Sequence, residues 1–185
     1  MLERLKKSLE DAPVVSMGDY QYFVHPITDG VPRMNPALLR EVLDAVVRAA
    51  DLHCDVILAP EAMGIPLVVP ISLRTGIPYV VVRKRCYSLP GEVSVKQVTG
   101  YSEKDMFIND IKSGDRVVII DDVISTGGTL RAMVQALKTM GAEIVDIVVV
   151  VEKVGHKENL EEELGVHIKT LVKVEVRNGQ VNLVT

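Results

Sequence analysis

Four short apolar runs constrain this chain more than anything else in it: Asp55–Ala59 (DVILA), Pro78–Val82 (PYVVV), Val117–Ile120 (VVII) and Ile144–Val151 (IVDIVVVV). Each is rich in β-branched residues and too short for an ordinary helix, and polar alternation is almost absent. That is the character of a strand covered on both faces. Helical stripes lie between them. One runs through Leu38, Leu39, Val42, Val46 and Val47, opened by an Asn35 cap with Pro36 at its first position. A second spans Ile65 to Arg74 and stops at Gly76; a third runs through Leu130, Met133, Val134, Leu137 and Met140 and stops at Gly141. Strands alternating with helices at this spacing predict an α/β fold, a parallel-sheet core with helices on both faces. The remaining expectations are a short N-terminal helix ended by Pro13, a strand over Tyr20–His25, a loop from His25 to Pro36, a polar irregular segment Arg83–Asn109 with one alternating part (Glu92–Val98), a helix over Glu158–Leu164 and a last strand over His167–Val174.

The 185 residues suit a single domain, and 48% hydrophobic content excludes disorder. A net charge of −4 leaves no general footprint for nucleic acid. Two cysteines, Cys54 and Cys86, are too few for a disulfide scaffold. The N-terminal MLERLKKSLEDAP lacks the apolar core of a signal peptide, and no apolar run nears the roughly 20 residues of a membrane span. A cytoplasmic enzyme or binding protein that acts on a small molecule is the expectation.

In parallel sheets, ligands sit beyond the carboxyl ends of the strands. There, Val117–Thr129 reads VVIIDDVISTGGT. Asp121 and Asp122 are expected to emerge from the strand end. Ser125, Thr126, Gly127, Gly128 and Thr129 then open the next helix, where free N–H groups and hydroxyls hold anions. Either half alone also serves as an ordinary strand end or helix cap. Together they ask for two partners: carboxylates suit sugar hydroxyls or a Mg²⁺ shell, and the turn suits a phosphate. A phosphorylated sugar satisfies both. No Gly-Lys-Ser/Thr follows, so this is not the phosphate loop of nucleoside-triphosphate enzymes.

VVIIDDVISTGGT closely resembles the 5-phosphoribosyl diphosphate (PRPP) signature of the type I phosphoribosyltransferase family, and the likeness extends from about Tyr20 to Val184. It implies that Asp121 and Asp122 bind the ribose hydroxyls and that Ser125–Thr129 bind the 5-phosphate. It makes the turn after Ala59 a pyrophosphate loop, with Glu61 and Ala62, in which family members often hold a cis non-proline peptide. Arg83 and Lys84 become a diphosphate clamp, Lys84 foremost. The segment 87–102 becomes a flexible loop closing over the reacting centre, and 1–34 with 154–185 a small hood. Val24 and His25 fall in that hood, near the base. The likeness is closest to the purine-salvage branches acting on adenine and xanthine and points to an archaeal hypoxanthine/guanine type. Lys153 then faces the purine 6-position, where a lysine favours a 6-oxopurine over adenine.

The implied reaction moves the phosphoribosyl group of PRPP to hypoxanthine or guanine, with Mg²⁺ as cofactor, in a homodimer. Adenine is the alternative substrate. A PRPP-sensing regulator without catalysis is the second class, although the acidic chain and the short stretch before Tyr20 argue against an attached DNA-binding unit. The general base is open. Ser125 stands where vertebrate relatives carry an acid, and adenine enzymes carry a loop glutamate near the place where this chain reads KQVTGY (Lys96–Tyr101). A water, a loop group such as Glu92, or binding of the purine anion would each serve.

Overall fold

The computed structural model describes residues 2–184 apart from Asp19, Gly100 and Tyr101. Its elements run, in order, α1 (Glu3–Glu10), β1 (Val14–Met17), β2 (Tyr20–Phe23), α2 (Pro26–Asp29), α3 (Pro36–Ala49), β3 (Val56–Pro60), α4 (Gly64–Thr75), β4 (Tyr79–Val82), β5 (Val93–Thr99), β6 (Ser102–Ile108), β7 (Arg116–Ile124), α5 (Gly128–Met140), β8 (Glu143–Lys153), α6 (Lys157–Leu164), β9 (Lys169–Arg177) and β10 (Gln180–Val184). One sheet has the order β10-β9-β8-β7-β3-β4. Its pairs are parallel except β10, which runs antiparallel to β9. β1 with β2, and β5 with β6, form antiparallel hairpins.

The alternation along β7 shows why its run is unbroken. Val118 and Ile120 pack on one face with Leu5, Val42 and Leu67; Val117 and Ile119 pack on the other with Met133, Leu137 and Leu160. Both faces are therefore dry, and each buried aliphatic side chain contributes about 1.5–3 kcal/mol. The helix ends follow the local chemistry. The Asn35 side chain accepts the Ala37 N–H at 2.8 Å, and Gly76 and Gly141 close α4 and α5 with φ of 75° and 76°.

Several expectations change. The loop over His25–Pro36 contains α2, capped by the His25 side chain. Within 83–109, β5 and β6 form a regular hairpin, in which Met106 and Ile108 are fully buried and Phe107 bridges to Arg83, while 84–92 is irregular as expected. The expected flexible loop over 87–102 therefore overlaps β5 and the start of β6, while its residues Gly100 and Tyr101 lie outside the described residues. Of the expected hood segment 154–185, residues 169–184 extend the main sheet as β9 and β10. Among the described residues, no helix is long and apolar enough to cross a membrane.

Candidate active site

The sheet order reverses at one place. β3 leads to β4 on one side, and the chain returns to β7 on the other. β3 pairs with β7 only as far as Leu58–Ile119, whereas β7 continues along β8 to Ile124–Glu152. Such a switch point opens a crevice at the carboxyl ends of the strands. Glu61 lies at one lip; Asp121 and Asp122 lie at the other.

The two aspartates do not follow the strand, as expected, but sit inside it, because β7 runs on to Ile124. They are 5% and 8% exposed, and the Asp122 N–H donates to Asp121 Oδ1 at 2.8 Å. Burial pushes the Asp121 carboxyl up to about 6, while hydrogen bonds with Asp122 and the Lys84 charge pull it partly back. Burial, and then the neighbouring Asp121 charge, raises Asp122 well above the carboxylate range, and Asp29 adds to this. Desolvated carboxylates with so little compensation favour partners that donate, such as sugar hydroxyls or a hard cation.

Ser125 to Gly127 turn the chain from β7 into α5. Gly127 has φ of 76°, and a Cβ there would lie 2.6 Å from Leu160 Cδ2, so any larger residue at this corner is strained. No side-chain cap occupies the start of α5 among the described residues, and a helix start of this kind suits an anion. A cavity of about 150 Å³ lies here, lined by Asp121 together with Ser125, Thr126, Gly127, Gly128 and Thr129.

Across the crevice, the Glu61–Ala62 peptide is cis. The Glu61 N–H donates to the Val82 carbonyl at 3.0 Å. Its carboxylate accepts the Lys84 N–H and meets Arg83 Nη1 at 3.0 Å. Arg83 Nε is buried with no acceptor among the described residues. The turn therefore gathers Glu61, Ala62, Arg83 and Lys84 in one place, with the Lys84 charge felt at Asp121. Glu61 serves the basic pair.

A second cavity, of about 470 Å³, shares Ser125 and Thr126 with the first. Its other walls include Lys153 and Val154 from the end of β8, Val174 and Val176 from β9, and Gln21 from β2. Val24 and His25 are not among its lining residues. His25 is 1% exposed and turns into the core: its Nδ1 accepts the Ile27 N–H at 3.2 Å, and its Nε2 meets Ser8 Oγ at 3.0 Å. Burial lowers its pKa to about 4, with Asp29 pulling the other way, so the ring is neutral and structural. Gln21, Val174 and Val176 escape the sequence reading because nothing local shows that β2 and β9 border the end of β8.

Glu92, the candidate base, is committed elsewhere. Its carboxylate accepts from Cys86 Sγ at 2.9 Å, the Tyr87 and Ser88 N–H groups at 3.0 Å and Asn109 Nδ2 at 2.9 Å. Cys86 foremost, then Asn109, holds it at about 2, far too acidic to take a proton near neutrality.

Residues 35–183 match the phosphoribosyl transferase domain family, and the chain belongs to it. It is a phosphoribosyltransferase. The chain is 54% identical over 181 residues to the hypoxanthine/guanine phosphoribosyltransferase of Methanobacterium paludis, covering 98% of this chain and 95% of that one. It is 49% identical over 185 residues to the enzyme of the same name from Methanothermus fervidus, covering 100% and 98%. The fold is similar to that of the adenine phosphoribosyltransferase of Thermoanaerobacter pseudethanolicus, with a TM-score of 0.76 at 24% identity over 94% of this chain and 99% of that one.

Proposed function

We propose that this enzyme works in purine salvage, transferring the 5-phosphoribosyl group of PRPP to hypoxanthine, and also to guanine, with release of pyrophosphate. The observation that carries the reading is the shared wall: Ser125 and Thr126 line both the phosphate cavity and the cavity that contains Lys153. A purine in the larger cavity then meets the sugar of a phosphate seated in the smaller one. The names of the half-identical relatives support the 6-oxopurine.

In this reading, the α5 turn holds the 5-phosphate, and Asp121 and Asp122 take the ribose hydroxyls. A purine ring nitrogen attacks the anomeric carbon opposite the diphosphate. The carbon–oxygen bond breaks with its electrons leaving on pyrophosphate, and the centre inverts. Arg83 and Lys84 stabilise the departing charge. Lys153 donates to the 6-oxo group. With Glu92 engaged by four donors, the purine enters as its anion or passes its proton to water. Mg²⁺ bound with PRPP would neutralise the diphosphate, and the buried, hard carboxylate oxygens of Asp121 and Asp122 would fit its shell as well as they fit hydroxyls. A cytoplasmic homodimer completes the reading.

Labelled hypoxanthine incubated with PRPP and Mg²⁺ tests it. Equal amounts of IMP and pyrophosphate are expected; a chain that binds PRPP but forms no IMP overturns it.

A further inference from the structure

Lys153 is not a lone cation at a strand end. Its Nζ lies 4.6 Å from the Tyr22 ring centroid and 4.8 Å from that of Phe23. The two rings lie 14° from parallel with centroids 6.3 Å apart, so the ammonium rests against a paired aromatic surface. Phe23 is 1% exposed and fixed in the core. Tyr22 is fixed differently: its hydroxyl donates to Asp29 Oδ1. The other oxygen, Asp29 Oδ2, accepts the His25 N–H at 2.9 Å and the Thr28 hydroxyl at 2.6 Å. Asp29 closes α2, so one carboxylate ties β2 to that helix. An ammonium on a ring face is held by the ring quadrupole, in a direction the ring orientation sets.

We propose that Tyr22, pinned by Asp29, is a specificity-determining positioning residue that acts through Lys153. The ring holds the ammonium at the edge of the base cavity, aimed to donate. A 6-oxo group accepts that donor; a 6-amino group, itself a donor, is refused. Without the Tyr22 ring, one of the two aromatic faces that hold the ammonium is lost, the lysine stem samples more directions, and the choice between the two weakens. This rests on the proposed role of Lys153, and the test separates the two.

The experiment is a mutant cycle on the full enzyme, read as KM for hypoxanthine, KM for PRPP and the hypoxanthine-to-adenine ratio of kcat/KM. Lys153→Met is expected to raise the hypoxanthine KM. Tyr22→Leu is expected to raise it about tenfold and to lower the ratio, with a change of less than about twofold in the PRPP KM. In the Lys153→Met background, Tyr22→Leu is expected to change the hypoxanthine KM by less than about twofold, because its route of action is gone. Tyr22→Phe keeps the ring and the fold but loses Asp29, and is expected to give a rise of about threefold that also vanishes in that background. Equal rises in both backgrounds overturn the positioning role and leave Lys153 its function, as does an unchanged KM for Tyr22→Leu and Tyr22→Phe alike. If Lys153→Met itself leaves the hypoxanthine KM unchanged, the role of the lysine fails and the inference falls with it.

Discussion

Arg83 carries its guanidinium 3.0 Å from the Glu61 carboxylate and so joins the end of β4 to the turn after β3. The pair holds the fork in place while Arg83 Nε still lacks an acceptor among the described residues. Arg83→Ala and Lys84→Ala are each expected to raise the PRPP KM about tenfold, the scale of a lost charge-assisted hydrogen bond, and to move the hypoxanthine KM far less. Arg83→Lys restores little, because a point charge does not reproduce the fork. Steady-state kinetics with each substrate varied in turn checks this.

The buried aspartates make PRPP binding depend on pH. Burial holds the Asp121 carboxyl up at about 6 in the free enzyme, and burial with the Asp121 charge raises Asp122 well above the carboxylate range. Hydroxyl donors and a cation favour the ionised form, so PRPP binding lowers these values and releases protons. Affinity should therefore strengthen as pH rises through 6, and calorimetry in buffers of different ionisation heat should detect the proton release. A raised carboxyl pKa stabilises the free fold below the ordinary value of 3.8, and that contribution is lost as pH rises through about 6. Asp121→Asn with Asp122→Asn should therefore cut turnover by at least about a hundredfold while leaving the melting temperature at neutral pH equal or higher.

His25 has the opposite sign. Its folded pKa of about 4 lies below the ordinary 6.5, so its contribution is present above 6.5 and lost as pH falls through 4. The loss is at most about 3 kcal/mol. The native protein is expected to lose stability across that window relative to His25→Asn, which retains a helix-capping side chain. Urea unfolding of both at matched pH measures it, and the comparison cancels the opposing contribution of the aspartates.

Gly127→Ala meets two obstacles: a φ of 76° and a Leu160 methyl 2.6 Å from the new Cβ. A loss of roughly 1–3 kcal/mol is expected, with a weaker grip on phosphate. Adding Leu160→Ala removes the clash but not the backbone conflict. The double variant should thus recover phosphate affinity more than stability, as phosphate titration and urea unfolding would report.

The fold was legible where burial made the chain uniform. Val117–Ile120 and Ile144–Val151 read as strands because both faces are dry, and Asn35, Gly76 and Gly141 punctuate the helices with their own chemistry. The strands β1 and β10 were not legible, since each is short and depends on its neighbour for pairing. The α5 turn and its aspartates were legible because they lie within one short stretch of chain. Arg83 and Lys84 could be placed beside Asp121 only because parallel strands end together. The base cavity was the hardest part. It is assembled from β2, β8 and β9, and His25, which lies past the end of β2, caps α2 and turns into the core instead. The reach of Asp29 to Tyr22 has no signature beyond a spacing of seven residues.

The central claim is transfer to a 6-oxopurine, and its most direct test is kcat/KM with saturating PRPP for hypoxanthine, guanine, xanthine and adenine on one preparation. Hypoxanthine and guanine should lead, with adenine lower by about a hundredfold or more, as expected when a site donor meets a donor on the wrong base. Adenine as the best substrate would contradict the account.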